Sequence, residues 1–425
     1  MTTPSQAADA DARAHTDGAA STAPAAAPEL SVAQAVDHLC EAAEPVSGLE
    51  DVPLAQADGR VLARDVVASI DLPGFDNAAM DGYALRHADL AGGVPLRELG
   101  RSLAGRGFDG EVTAGGCVRI MTGAPLPPGA DTVVVLEDLA AGDGLVRVRV
   151  APAPGANIRR RAEHLARGAV ALRTGTRLSG AALGLAAAAG CATVCVRRRL
   201  RVGLLSTGDE LADPPQPLSA AGSYDANRPL LLAACVRLGC EVHDLGICGD
   251  RGGEFDRALE RAFSAGCDVL LASGGAAQGD ADVVRQAGGV HFLPLNIRPG
   301  RGLAHARLQR EHRSLWLLGL PGNAVAAYVM FHLVARPLLL HLAGAAAEPL
   351  PRLRAPLAQA ASVRGGRIDY RRGRIDGEGR VAPTRDQGSA MLRTVVEADC
   401  LIELGPAAHY AAGALVDVIP LGLLD

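Results

Sequence analysis

From Leu200 to Leu342 short apolar runs alternate with segments of helical spacing, and this alternation constrains the fold more than any other feature of the chain. RVGLLSTGDEL ends its apolar run at Ser206-Thr207-Gly208-Asp209-Glu210, and Arg228 to Leu238 then has helical spacing. Cys240 to Asp250 holds a strand ending at Asp250, and Phe255 to Ala265 is helical. DVLLASGGAAQGDAD, Asp268 to Asp282, reads as a buried strand that stops at Ser273-Gly274-Gly275. HFLPLNIRPGR and LWLLGLPGN supply two more strand candidates, and Val325 to Leu342 a long closing helix with Pro337 as a kink or stop. Strands and helices at this spacing predict a parallel sheet whose ligands gather at the carboxyl ends of its strands. Ser206 to Glu210, Asp250, Ser273 to Asp282, Arg298 to Arg301 and Pro321 to Asn323 then line one rim.

A glycine turn at a helix start lets backbone N–H groups approach an anion, while the carboxylates Asp280 and Asp282 beside it would repel one. A divalent cation between carboxylates and phosphate oxygens removes the conflict. Glu210, Asp250 and Asp282 with Arg298 and Arg301 therefore suit an anionic ligand plus a hard metal ion. Neither the P-loop pattern nor GxGxxG occurs along these strands, which argues against a common nucleotide hydrolase.

The formal net charge of -5 speaks against a nucleic-acid partner. Every basic residue is arginine. Nine cysteines without a CxxC pair point to reduced thiols in a cytoplasmic protein, with no structural zinc. Cys235, Cys240 and Trp316 read as core residues, and His332 and His341 as polar-edge or core histidines of the closing helix. The best candidate for a membrane span, Tyr328 to Leu342, is interrupted by His332, Arg336 and Pro337, so no membrane association is expected.

The rest divides by composition. Residues 1–29 read as a disordered tail. Ser31 to Ala43 fits an amphipathic helix with Ser31 as N-cap, Gly180 to Ala189 is helical, and the two are expected to meet. Between them, runs such as Cys117 to Ile120 and Leu145 to Val150 read as a β-rich insertion. Its polar loops are PGFDNAAMDGYA with Asp81, RIMTGAPLPP with Thr122, and GANIRRR, whose arginines read as a solvated face. The expected domains are 30–72 with 166–199 (helical, discontinuous), 73–165 (inserted β), 200–344 (α/β) and 345–425 (C-terminal β).

FDNAAMDGYA, RIMTGAPLPPGAD, GANIRRR, STGDEL, YDANR, SGG followed by GDAD, RPGR, GLPGN and QGS occur in the order found in the molybdopterin molybdenumtransferase family, which this chain resembles from about Leu30 to its end. The resemblance implies an elongated homodimer whose α/β domain binds molybdopterin and whose C-terminal domain is β-barrel-like. It implies insertion of molybdenum from molybdate into adenylylated molybdopterin, with release of AMP and dependence on Mg2+ or a similar divalent cation. By the same resemblance Glu210, Asp250 and Asp282 hold the metal or position the attacking oxygen, and Asp81 and Thr122 act across the dimer. Ser206, Thr207, Gly208, Asp225, Asn227, Ser273, Gly274, Gly275, Gly279, Pro321, Gly322 and Asn323 fall in the pterin-phosphate loops. Arg298, Arg301, Arg372 and Ser389 fall in the molybdate pocket. A molybdopterin adenylyltransferase or molybdoenzyme maturation proteins are the partners implied.

The chain departs from the family pattern at several of these places. Ala277 stands for the serine of SGGxSxG, Arg298-Pro299-Gly300-Arg301-Gly302 for KPGKP, and Ala324 and Ala326 for the proline and serine of LPGNPVS. His164 stands where RxxGED has its aspartate, and Ala78 for a serine. Two other readings follow: a non-catalytic paralogue that binds molybdopterin as carrier or scaffold, and, from the residues alone, a general sugar-phosphate or nucleotide enzyme on an α/β sheet.

Overall fold

A computed structural model describes residues 28–251, 253–274, 284, 288–363, 365–406 and 409–424. Its central sheet has six strands in the spatial order Glu241–Cys248, Arg201–Thr207, Val269–Ser273, Arg313–Leu320, Gly302–Arg310, His291–Pro294. The first four are mutually parallel, with the helices Asn227–Arg237 and Glu254–Ser264 making the crossovers among the first three in the chain. All of Val269–Ser273 is buried, because both faces of the sheet are covered. Val269 and Leu271 pack with Leu231, Ala234 and Cys235 of the helix Asn227–Arg237. Leu270 and Ala272 pack with Phe255, Ala258 and Ala262 of the helix Glu254–Ser264 on the opposite face. The period-2 alternation of one apolar run thus divides it between two cores.

The parallel expectation is corrected at one edge, where Gly302–Arg310 and His291–Pro294 run antiparallel. Arg310 pairs with Arg313, leaving the two-residue turn Glu311-His312, and so short a link joins only antiparallel strands. The HFLPLNIRPGR candidate also divides, because Ile297–Arg298 leaves this sheet and pairs in parallel with Ile368–Ile375. Ile368–Ile375 belongs to a second sheet with Cys400–Leu404, Leu415–Pro420, Leu353–Pro356 and Val381–Pro383.

The closing helix spans Ala324–Leu342 without stopping at Pro337. A π-helical turn, Phe331–Ala335, precedes the segment Arg336–Leu342, which starts with Pro337 in its first turn, where a missing N–H costs little. With a mean hydropathy of 1.5 this helix is long and apolar enough to cross a membrane, but 89% of it is buried inside the protein as a core helix.

Ser31 caps the helix Val32–Glu41 through a reciprocal capping box with Gln34. Its buried face, Val32, Ala35 and Leu39, joins the core of the closing helix and the central sheet. The expectation that it meets the Gly180–Ala188 helix is therefore corrected. That helix packs with Ala57, Leu62, Val66, Val194 and Val196 in a separate cluster.

Leu49–Pro53 pairs with Thr193–Arg197, Val66–Val67 with Val170–Leu172, and Leu72 bridges Leu165. Between these nested pairings lies a six-stranded sheet ordered Thr132–Val135, Gly82–Leu85, Gly116–Ile120, Leu96–Ser102, Leu145–Val148, Leu139–Gly142.

Candidate functional site

Register brings the parallel strands to a common end: Ser206 lies beside Ser273, Ser273 beside Leu320, and Thr207 beside Cys248. Past that line the chain turns through glycines. Gly208 N–H donates to Cys248 O at 3.0 Å, and Gly274 N–H to Leu320 O at 3.1 Å. Gly274 has φ +89°, and a Cβ there would stand 2.5 Å from Thr207 O and 2.9 Å from its Oγ1. No other residue fits that turn. Asn227 Nδ2 donates at 2.7 Å to both Ser273 Oγ and Gly322 O, closing the group. Ser206, Thr207, Gly208, Asn227, Ser273, Gly274, Pro321 and Gly322 are thus assembled at one end of the sheet.

Within this group Ser206 Oγ and Thr207 Oγ1 are buried and make no hydrogen bond to a described residue. Buried hydroxyls are ordinarily paired, so two orphans at a strand end are polar groups available to a ligand.

Asp225 has a different duty. Its Oδ1 accepts from Asn227 N–H at 3.0 Å and Arg228 N–H at 3.1 Å, and its Oδ2 from Arg228 Nε at 3.1 Å. It caps the helix that carries Asn227. Arg228 also pairs with Asp244 and Asp213. Burial pulls the Arg228 guanidinium pKa down, but its hydrogen bonds to Asp244 and Asp225 outweigh that and raise it.

Glu210 is exposed, with its carboxylate lying over Gly208. Asp250 sits on the neighbouring loop, where its N–H donates to Asp209 Oδ1 at 3.1 Å while Gly249 N–H donates to Glu254 Oε2 at 2.7 Å. Asp209 therefore joins the two carboxylate-bearing loops, and Glu254 ties the Asp250 loop to the helix that follows it. Neither was singled out from sequence, although Asp209 adjoins Glu210 and Glu254 opens a helix. Asp282, Gly275, Gly279 and Ala277 lie outside the described residues. Among the described residues no group of three His, Cys, Asp or Glu side chains is arranged to hold a metal ion.

Arg298, at the end of its short strand, and Arg301, on the loop that follows, are exposed, and Gly300 between them abuts Met330 and Pro321. Ser389 O accepts from Val325 N–H at 3.0 Å, which sets the Ser389 loop against the start of the closing helix, next to Asn323. Arg372 points inward and is 1% exposed. Its Nε donates to Thr394 Oγ1 at 3.1 Å and its Nη2 to Gly388 O at 3.0 Å, so it holds the Ser389 loop from behind. Burial holds its pKa below the usual arginine value, with Asp369 and Asp386 opposing.

Asp81 and Thr122 form a pair beside the six-stranded sheet that contains Gly82–Leu85 and Gly116–Ile120. Asp81 Oδ1 accepts from both Thr122 N–H and Thr122 Oγ1, each at 2.7 Å. Among the described residues no hydrogen bond links this pair to the strand-end group. The arginine loop beside it is exposed, as a solvated face would be, and two of its arginines pair at the surface: Arg160 Nη1 donates to Asp76 at 2.7 Å and Arg161 Nε to Asp71 at 2.6 Å. These carboxylates fix the loop against PGFDNAAMDG. His164 is exposed, and its N–H donates to Leu72 O at 2.9 Å.

Comparison with known proteins reads the same chain from the outside. Three family descriptions match in order: MoeA N-terminal region (domain I and II) over residues 30–190, probable molybdopterin binding domain over 203–341, and MoeA C-terminal region (domain IV) over 354–421. A molybdopterin molybdenumtransferase from Haemophilus influenzae is 36% identical over 93% of this chain and 99% of its own length. The chain belongs to the molybdopterin molybdenumtransferase family.

A molybdopterin molybdenumtransferase from Synechococcus elongatus is 35% identical over 92% of this chain and 99% of its own. Among solved structures, a molybdopterin biosynthesis moeA protein from Pyrococcus horikoshii OT3 covers 92% of this chain and 100% of its own at 25% identity and a TM-score of 0.77. The strand-end group, between residues 206 and 322, falls within the stretch matched by the probable molybdopterin binding domain.

Proposed function

We propose that this chain inserts molybdenum, supplied as molybdate, into adenylylated molybdopterin with release of AMP. The observation that carries the reading is the strand-end group, where Gly274 lies on Thr207 and two buried hydroxyls, Ser206 Oγ and Thr207 Oγ1, have no partner among the described residues. Backbone N–H groups, orphan hydroxyls and glycine turns are what a pterin phosphate requires. Relatives that carry the transferase name support the reaction class.

The donor set fits a hard divalent cation such as Mg2+, since Glu210 and Asp250 offer carboxylate oxygens on adjoining loops. Those two and Asp282 would hold the ion, whose chemistry is to neutralise charge on the phosphoanhydride oxygens. Asn227 fixes the two glycine turns that meet the phosphate. Arg298, Arg301 and the Ser389 hydroxyl would bind molybdate as fixed cationic and hydroxyl donors, with Arg372 supporting the loop. Asp81 and Thr122 are assigned to the same cleft from a second copy, in a homodimer. Nine free thiols suit a reducing cytoplasm.

The test is AMP release from adenylylated molybdopterin by the purified chain with molybdate and Mg2+, beside Glu210→Ala and Asp282→Ala. Molybdate-dependent release lost in both variants is the expected result. Tight binding of the pterin nucleotide without release would replace the enzyme reading with a carrier.

A further inference from the structure

Arg336 lies on the closing helix 12 residues beyond Ala324, about 18 Å from the strand-end group at 1.5 Å per residue. It is 8% exposed, and among the described residues its Nε has no hydrogen-bond partner and no carboxylate forms an ion pair with it. Burial, then the charge of Arg177, holds its pKa below the usual arginine value, and only the exposed Glu348 opposes them.

Arg177 repeats the pattern. Its Nη2 donates to Arg237 O at 2.7 Å, while its Nε is buried and has no partner among the described residues. A third orphan, Arg197 Nε, is packed over Gly344, two residues past the closing helix. Arg177 and Arg199 both act on Cys240, which lines a cleft with Arg60, Arg197, Arg198 and Gly239. Leu200 also lines this cleft and precedes the strand Arg201–Thr207, so the cleft lies at the amino edge of the sheet, opposite the glycine turns.

A guanidinium removed from water without a counter-charge is costly, and a chain of net charge -5 has carboxylates to spare; along this cleft Glu50 pairs with Arg60 and Asp268 with Arg198, yet among the described residues no carboxylate pairs with Arg177, Arg197 or Arg336. Planar forks on separate elements, each with an unused donor, match the oxygens of a tetrahedral anion.

We propose that Arg177 and Arg336, with Arg197 beside them, bind a small oxyanion of the phosphate class at the junction of the closing helix and the loop before the Gly180–Ala188 helix. The ligand is free phosphate or the phosphate of a monoester, and it stands apart from the pterin-phosphate group.

Titration calorimetry on the full chain, at constant ionic strength set with sodium chloride, tests the site with inorganic phosphate and, separately, glycerol phosphate. Saturable binding that weakens at least tenfold in Arg336→Met and in Arg177→Gln is expected, and the tighter of the two probes identifies the source. In phosphate-free buffer Arg336→Met should melt no lower than the parent, because it removes an uncompensated charge at similar volume. If Arg336→Met does not fold, the half-buried Arg177→Gln decides the question. No saturable binding of either probe by the parent, or binding unchanged in the folded variants, overturns the proposal.

Discussion

Asn227 Nδ2 donates at 2.7 Å to Ser273 Oγ, tying the first residue of one helix to the last residue of a central strand. The same amide reaches Gly322 O at 2.7 Å, so one side chain sets the spacing of two glycine turns. Asn227→Ala removes the donor to the buried Ser273 Oγ and to the more exposed Gly322 O and should cost about 1–3 kcal/mol. A fall in the urea midpoint, together with weaker molybdopterin binding, checks this; an unchanged midpoint would show that the turns hold themselves.

Gly274→Ala meets two obstacles at once. At φ +89° an L-residue is strained by about 1–2 kcal/mol, and the new methyl would press on Thr207 O. The variant should melt lower and lose pterin affinity by tenfold or more, since a tenfold loss corresponds to only about 1.4 kcal/mol. Retained affinity would count against the strand-end site.

Arg198 Nη1 and Nη2 donate to the two oxygens of Asp268, both at 2.7 Å, and Arg201 N–H adds a bond of 2.8 Å to the same carboxylate. This fork locks adjacent strands at the edge away from the glycine turns. Asp268→Asn should destabilise the chain by about 1.5–3 kcal/mol, the scale of a hydrogen bond to a charged group, without altering Km for the pterin substrate. Thermal melting and steady-state kinetics read the two effects separately.

Asp81 is held below its ordinary pKa of 3.8, first by the Thr122 N–H and then by the Thr122 hydroxyl. A depressed carboxylate stabilises the fold at pH values above its unfolded pKa, and that contribution is lost as pH falls through the folded value. Thr122→Val removes the hydroxyl donor, so the Asp81 titration followed by carboxyl NMR should move upward. An unmoved titration would mean that the backbone donor alone sets it.

The apolar runs that end in Ser206-Thr207-Gly208 and Ser273-Gly274 made the strand-end group readable, because parallel pairing leaves little choice of register once both faces are buried. The antiparallel edge was not readable. Its turn is Glu311-His312, with Glu311 at φ 52°, and neither residue is a customary hairpin signal. An amphipathic pattern likewise says which face of Val32–Glu41 is buried but not against what, which is why its partner was misassigned. Arg371 and Arg372 look alike in sequence, yet strand alternation sends Arg371 to Asp369 at 2.9 Å and Arg372 into the interior. The free charges at Arg177 and Arg336 left no trace in sequence, since what marks them is a missing neighbour.

The chain leaves and re-enters through one doorway, where Leu72 bridges Leu165. Because the two sides of that doorway are already stitched by strand pairs, everything between is a detour that can be cut out with scissors at both ends. A chain in which a short Gly-Ser turn replaces residues 73–164 should still fold its central sheet, while losing the Asp81–Thr122 pair and any activity that a second copy completes. Circular dichroism and pterin binding on the trimmed chain would reveal whether the detour is cargo or scaffold.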